Sequence, residues 1–477
     1  MPAPGDQRLP ERAAAGHGRA FVSYAVLAAL TVAAYLWIRS VGEGLAPAGA
    51  GTHAAEGPRS AQPIPLARVL LALAVVTLLA RVFGGLFRRV LGQPAVIGEI
   101  VAGIALGPSV LGRISPAAQD FVLPETVVPY IGMISKVGVV LFMFLVGLQL
   151  DPRLLRHHTR ATVAISHSSI VVPFLLGASL ALVLYPLHAE AGVSFTAFSL
   201  FLGASLSVTA FPVLARILID RGVQSTALGA TALACAAIDD VTAWTLLALV
   251  VGIARMELGH AGWTVLFVLV YVGVMLFAVR PLLARYFAYR AARRRGALSH
   301  TDLALVFVAL LGSAFTTEAL GIHALFGAFL LGAILPHDGQ LAESLRARLE
   351  DVVLVLFLPS FFAFTGLRTE IGLLEGGRDW LLCVLIIAVA TLGKFGGTLV
   401  AARLSGLDGR SAAALGVLMN TRGLMELIVL DVGLDLGVIT PTVFAMLVLM
   451  ALVTTFATTP LLDLVLGRRG FRPANGG

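Results

Sequence analysis

Charge is what this chain has least of. Asp, Glu, Lys and Arg make up 13% of its 477 residues, where a soluble protein carries about a quarter. The shortfall excludes a solvated globular surface. Lysine is scarcer still: 32 of the 34 basic residues are Arg, leaving only Lys136 and Lys394. Most of the arginines lie in short loops between apolar runs. The net charge of +7 therefore reports membrane orientation, not a nucleic-acid partner. Cysteine is nearly absent. Cys235 and Cys383 both fall inside apolar runs, which excludes a disulfide framework and a cysteine metal site. A phosphate-cradling loop is missing too: Gly393-Lys394 is followed by Phe395 and lacks the upstream glycine of a Walker A motif. No cofactor and no enzymatic activity are expected.

What is present is apolar sequence. Hydrophobic residues make up 58% of the chain, and its mean hydropathy is +0.93. Apolar runs fall at roughly 21–38, 64–87, 93–112, 128–150, 161–186, 194–218, 225–254, 261–279, 302–318, 321–336, 351–367, 380–403, 411–434 and 442–467, about fourteen spans. The expected fold class is an all-α polytopic membrane protein. With the gaps numbered alternately, 24 arginines fall on the side of the N-terminus and 7 on the other, with Arg422 inside a span. The positive-inside rule then makes both termini and the Arg280–Arg295 loop cytoplasmic, as in a plasma-membrane protein.

Three segments follow. Residues 1–63 hold an extra N-terminal helix and a flexible linker (40–62) rich in Gly, Ala and Pro. The first run, about 18 residues, suits a retained helix better than the shorter core of a signal peptide, although GEGLAPAGAG after it offers small residues for cleavage. Residues 64–467 form the membrane domain. Residues 468–477 are a short basic tail, with no nucleotide-binding domain appended.

Two halves of the membrane domain echo one another at offsets of about 220 residues. GEIVAGIALGPS (Gly98–Ser109) resembles GIHALFGAFLLGAILP (Gly321–Pro336). VVLFMFLVGLQLD (Val139–Asp151) resembles VLFLPSFFAFTGLRTE (Val355–Glu370). SLSVTAFPVLA (Ser205–Ala215) is matched by LMNTRGLMELIV (Leu418–Val429), each with hydroxyl or amide side chains and a Pro or Gly in mid-span. Interrupted spans at corresponding places in two halves point to a binding site in secondary transporters. Glycine and proline are also simply common in membrane helices.

Against this background Asp239 and Asp240 stand out. They are the only charges between Ser225 and Ala254, and ionised carboxylates at that depth cost several kcal/mol. Adjacent on a helix, they point about 100° apart, so one can face a cavity while the other takes a partner. The uses open to them are cation binding, proton carriage or a structural ion pair. Lys394, mid-span among small residues, must pair with an acid or lose its charge, and the two aspartates are the candidates. Pro212 frees a backbone carbonyl one turn upstream. With the hydroxyls of Ser207 and Thr209 it offers hard oxygen ligands for an alkali cation, or a mere kink. Asn420, Thr421, Arg422, Gly423 and Glu426 make the second interruption; Arg422 and Glu426, four apart, suit a pair on one helix face. Glu99 reads as a helix-end contact, His167 and His323 as core histidines, and Lys136 as a snorkelling side chain. Asp431 and Asp435 line an external vestibule or meet water.

Taken together, GEIVAGIALGPSVLG, VVLFMFLVGLQLD, SVTAFPVLARIL, AIDDVTAW, GKFGG and MNTRGLMELIVL resemble the monovalent cation:proton antiporters of the Kef and plant CHX branch, over about residues 64–467. The resemblance implies about 13 family helices in two inverted repeats, with SVTAFP and NTRGLMEL on two discontinuous, crossing helices. It implies a homodimer whose core moves against a dimerisation domain. Asp240 would be the ion-binding acid, and Asp239 an Asp found in electrogenic members, paired with Lys394. Two departures are the extra N-terminal span and the missing regulatory domain.

The resulting expectation is exchange of Na+ or K+ for protons. Asp240 and Asp239 carry the cation and protons, Thr209 and backbone carbonyls complete the cation shell, and transport is electrogenic. The rivals are an ion-coupled symporter of an organic anion and a cation channel. An aspartyl protease is disfavoured, because its two aspartates sit on separate helices.

Overall fold

The computed structural model describes residues 26, 29–43, 66–149, 160–223, 226–254, 261–293, 299–320, 323–336 and 340–467. Most of the linker, the small-residue stretch after the first span, Arg294, Arg295 and the basic tail lie outside those residues. Among the described residues every regular element is helical.

In chain order the principal helices are α1 (Ala29–Gly42), α2 (Leu66–Val90), α3 (Ala95–Leu106), α4 (Val128–Gln149), α5 (Arg160–His188), α6 (Phe195–Ser207), α7 (Phe211–Asp220), α8 (Ala227–Ala254), α9 (Ala261–Val274), α10 (Arg280–Arg293), α11 (His300–Ala319), α12 (Ala324–Ile334), α13 (Gln340–Val352), α14 (Leu358–Leu367), α15 (Gly376–Thr391), α16 (Gly397–Leu404), α17 (Gly409–Met419), α18 (Leu424–Asp435) and α19 (Pro441–Leu466). Their starts are written in sequence. Ser194, Asp408 and Thr440 accept hydrogen bonds from first-turn amides of α6, α17 and α19, and Ser299 with Asp302 forms a capping box on α11.

Nine helices among the described residues are long and apolar enough to cross a membrane, or ten if α17 and α18, bent by 42° at their break, count as one span. That count covers the described residues alone, whereas the fourteen apolar runs are read over the whole chain. An apolar run need not be one long helix: the run 194–218 breaks at residues 208–210, and the run 321–336 holds a helix of only 11 residues.

The helices sort into two blocks. One contains α2, α3, α4, α11, α12 and α14; the other contains α5 to α8 and α15 to α19. They meet where α14 passes α18 and α3 passes α19, and α9 with its following π-helical turn (Met275–Val279) touches α8 on one side and α12 on the other. Glycines hold the first block together, because without side chains the backbones come into contact. A Cβ on Gly103 of α3 would strike the backbone of Ala363 in α14, and one on Gly366 would strike Ile100 and Ile104. Gly147 of α4 and Gly332 of α12 meet in the same way, through Phe329 and Phe144. Motifs that resemble each other in sequence are thus paired crosswise.

Candidate functional site

The second block contains the crossing. Helix α6 stops at Ser207 and α7 starts at Phe211; α17 stops at Met419 and α18 starts at Leu424. Interrupting a helix frees carbonyls at one end and amides at the other, and in hydrocarbon each must find a protein partner. The two breaks supply them to each other. The Ala210 amide donates to the Thr421 carbonyl at 3.1 Å, and the Thr209 hydroxyl lies 3.2 Å from the Met419 carbonyl. The Arg422 guanidinium caps α6 by donating to the Ser205 and Leu206 carbonyls at 3.0 and 2.7 Å. It also pairs with Glu426 at 3.3 Å, both side chains fully buried. The pair spans the break and the first turn of α18, where the spacing alone suggested one helix face. Thr455 of α19 closes the break from behind, accepting from the Arg422 amide and donating to its carbonyl.

Lys394 is delivered by a different irregularity. It sits in a π-helical turn, Leu392–Gly396, between α15 and α16; such turns occur often at functional sites. Gly393 and Gly397 let this segment lie directly on α5, against the backbone of Pro173 and the Ser168 carbonyl. Ser168 in turn donates to the Gly397 carbonyl at 2.9 Å. Lys394 Nζ reaches Asp239 Oδ2 at 2.9 Å, with both side chains fully buried.

Asp239 holds three further donors. The Thr209 hydroxyl is 2.8 Å from Oδ2, that of Ser169 is 2.9 Å from Oδ2, and that of Ser166 is 2.7 Å from Oδ1. Asp240 is treated differently. It is 3% exposed, and its Oδ1 has no hydrogen-bond partner. Among the described residues, four further buried oxygens without partners lie on the elements of the crossing, Ser205 Oγ, Asn420 Oδ1, Thr421 Oγ1 and Glu426 Oε1, and four lie elsewhere, on Thr77, Gln93, Thr365 and Thr398.

Of the residues singled out from sequence, Asp239, Lys394 and Thr209 meet directly. Asn420, Thr421, Arg422 and Glu426 form the crossing next to them. Ser207 turns away, donating to the Ile170 and Gly203 carbonyls. Ser166 and Ser169 of α5 join the site from outside the segments that the sequence points to. Their signal was the hydroxyl-rich run SHSS inside the span 161–186, with two serines three apart on one helix face. Lys136 does more than snorkel. It pairs with Asp435 at 2.6 Å, while Arg368 holds both Asp431 and Asp435 at 2.5 and 2.9 Å. Asp431 and Asp435 line a cavity of about 420 Å³ at the Arg-poor end of the bundle, between α4, α11, the start of α12 and α18.

Comparison with known proteins agrees with this architecture. Residues 74–464 match the family model described as the sodium/hydrogen exchanger transmembrane domain. The chain is 44% identical over 397 residues to the Na(+)/H(+) antiporter NhaS4 of Synechocystis sp., a match covering 82% of this chain and 96% of that protein. It is 38% identical over 428 residues to cation/H(+) antiporter 20 of Arabidopsis thaliana, covering 87% and 49% of the two. With K(+)/H(+) antiporter 1 of Saccharomyces cerevisiae it shares 35% identity over 382 residues, covering 78% and 43%. The chain thus spans about half the length of the plant and yeast relatives. Among solved structures, the sodium proton antiporter MjNhaP1 of Methanocaldococcus jannaschii has the same fold, with a TM-score of 0.57 over 84% of this chain and 98% of that one at 15% identity. By the family match over nearly the whole membrane part and the 44% identity with the Synechocystis relative, this chain belongs to the sodium/hydrogen exchanger transmembrane family.

Proposed function

We propose that this chain exchanges a monovalent cation, Na+ or K+, for protons by alternating access. One observation carries the reading: a buried carboxylate with a free oxygen, Asp240, stands beside a Lys-paired Asp239 at the crossing of two broken helices. A cation stripped of water needs several oxygens, and Asp240, Asn420 and Thr421 have unused ones. The lone pairs of Thr209 remain available, since its hydroxyl proton is given to Asp239 or to the Met419 carbonyl. A proton on Asp240 removes the charge that attracts the cation, so the two compete for one site.

Lys394 and Asp239 supply a second charge pair. If that pair opens and closes during the cycle, more than one proton moves per cation and transport is electrogenic. The crosswise pairing of Gly103 with Gly366 and Gly147 with Gly332 supports two inverted repeats, as does the exchange of caps between the two breaks. We further assign residues 64–467 as the exchanger domain of a plasma-membrane homodimer with cytoplasmic termini. The arginine distribution favours that orientation.

Asp240→Asn tests the assignment. In everted vesicles, addition of Na+, K+ or Li+ should collapse a preformed pH gradient with the native chain and leave it standing with the variant. Full activity of Asp240→Asn would remove the site from Asp240. The separate additions also identify the cation.

A further inference from the structure

Ser166 and Ser169 belong to α5, outside both breaks and outside the Lys394 turn, yet both reach the Asp239 carboxylate. They are fully buried, one turn apart, and address different oxygens: Ser166 Oδ1 at 2.7 Å, Ser169 Oδ2 at 2.9 Å. A buried ion pair is worth its desolvation only when further hydrogen bonds fill the carboxylate's remaining lone pairs. Here the filling is uneven. Oδ2 takes Lys394, with the Ser169 and Thr209 hydroxyls in reach, each also within reach of a backbone carbonyl (Ser166 at 2.7 Å and Met419 at 3.2 Å), whereas Ser166 is the one hydroxyl on Oδ1 and its carbonyl alternative, Cys235, is farther at 3.4 Å. The adjacent Asp240 has nothing equivalent on its Oδ1.

That asymmetry has a consequence for exchange. If Lys394 were the sole donor, Asp239 would follow it or take up a proton whenever the ammonium withdrew or lost its proton. With the serines in place, the carboxylate keeps its position and its charge without Lys394. A second fixed negative charge one residue from Asp240 strengthens the attraction for a cation there. We propose that Ser166 and Ser169 are positioning residues of the exchange, anchoring Asp239 as a stationary anion and thereby setting the cation affinity of Asp240. This rests on the exchange reading above.

The test uses the full chain reconstituted in liposomes, with cation-driven proton flux measured against Na+ and K+ concentration and normalised to folded transporter. Ser166→Ala with Ser169→Ala should raise the apparent KM for the cation by about ten-fold or more, the size of one hydrogen bond to a charged group. The maximal rate per folded transporter should stay within about two-fold, because the exchanging group itself is untouched. Ser169→Thr, which keeps the hydroxyl, should restore much of the affinity. Ser179→Ala, whose hydroxyl donates to the Leu175 carbonyl on the same helix, should leave KM unchanged. A merely structural role predicts less folded protein and an unmoved KM, and that result would overturn the proposal. If the double variant does not accumulate, each single alanine variant carries the same prediction with a smaller rise, and an unmoved KM in both overturns it equally. Absence of any cation-driven flux in the native chain would instead sink the exchange reading.

Discussion

At the residue scale two neighbouring aspartates occupy opposite electrostatic situations. Asp239 has four donor groups in reach, one of them a buried ammonium; Asp240 has an oxygen with none. Removing one partner of a buried pair leaves the other charge stranded, at a cost of about 3–5 kcal/mol. Asp239→Asn should therefore lower the thermal unfolding midpoint in detergent, and Asp239→Asn combined with Lys394→Met should recover part of the loss. In proteoliposomes Asp239→Asn should also remove the response of exchange to an imposed membrane potential. A variant still driven by potential would mean that the Lys394–Asp239 pair takes no part in moving charge.

Much at this scale was legible in sequence. Two carboxylates and a lysine inside apolar runs are anomalies that one-dimensional reasoning detects, since the bilayer penalises them wherever they point. The serines were not legible. A hydroxyl in a membrane helix usually satisfies itself on its own backbone, as Ser179 does. The run SHSS marks a hydroxyl-rich stretch, but only α5 laid against α8 shows that Ser166 and Ser169 reach a carboxylate.

At the element scale the recurring device is a deliberate fault in a helix. The breaks at 208–210 and Asn420–Gly423 expose backbone, and the π-helical turn at Leu392–Gly396 carries Lys394. Each fault is held by side chains of another element: Arg422 on the end of α6, Thr455 on the second break, Ser168 beside the π turn. Arg422→Gln should be severe. It leaves two carbonyls and the Glu426 carboxylate without their donor, a loss of about 3 kcal/mol or more. Arg422→Lys should recover only part, because a point charge cannot replace the planar fork. Thermal unfolding of the purified variants measures both, and equal stability of Lys and Arg at this position would contradict the capping role. Proline and glycine announced the breaks in sequence. The π turn had no such announcement, since LGKFG reads as ordinary helix until the close packing on Pro173 and Ser168 is seen.

At the scale of the molecule, two blocks meet where α14 passes α18 and α3 passes α19, and are bridged by charge at the Arg-poor end. Lys136 of α4 and Arg368, just past α14, belong to one block; Asp431 and Asp435 belong to α18 of the other. Alternating access by motion of the blocks must separate these partners when that end opens. Partly exposed pairs of this kind contribute about 0.2–1 kcal/mol each. Arg368→Gln with Lys136→Gln should favour the open form about five-fold. Val432→Cys on the wall of the 420 Å³ cavity reports it. A membrane-impermeant thiol reagent should label it correspondingly faster in the charge-neutralised background, with the native Cys235 and Cys383 buried and silent. Unchanged labelling would mean the pairs do not restrain opening.

The sequence by itself determined the membrane class, the approximate number of apolar runs and the anomalous charges Asp239, Asp240 and Lys394 within them, because the cost of polar atoms in hydrocarbon depends on composition and spacing alone. It also located both interruptions, since Pro and Gly act through their own backbone geometry. Tertiary structure decided which aspartate is held and which is left open, how Arg422 caps a helix 216 residues earlier in the chain, and that Lys136 is tied to Asp435. Those outcomes depend on which helix faces which. In a bundle where nearly every face is apolar, hydropathy carries no record of that choice; close glycine contacts and hydrogen-bond geometry make it.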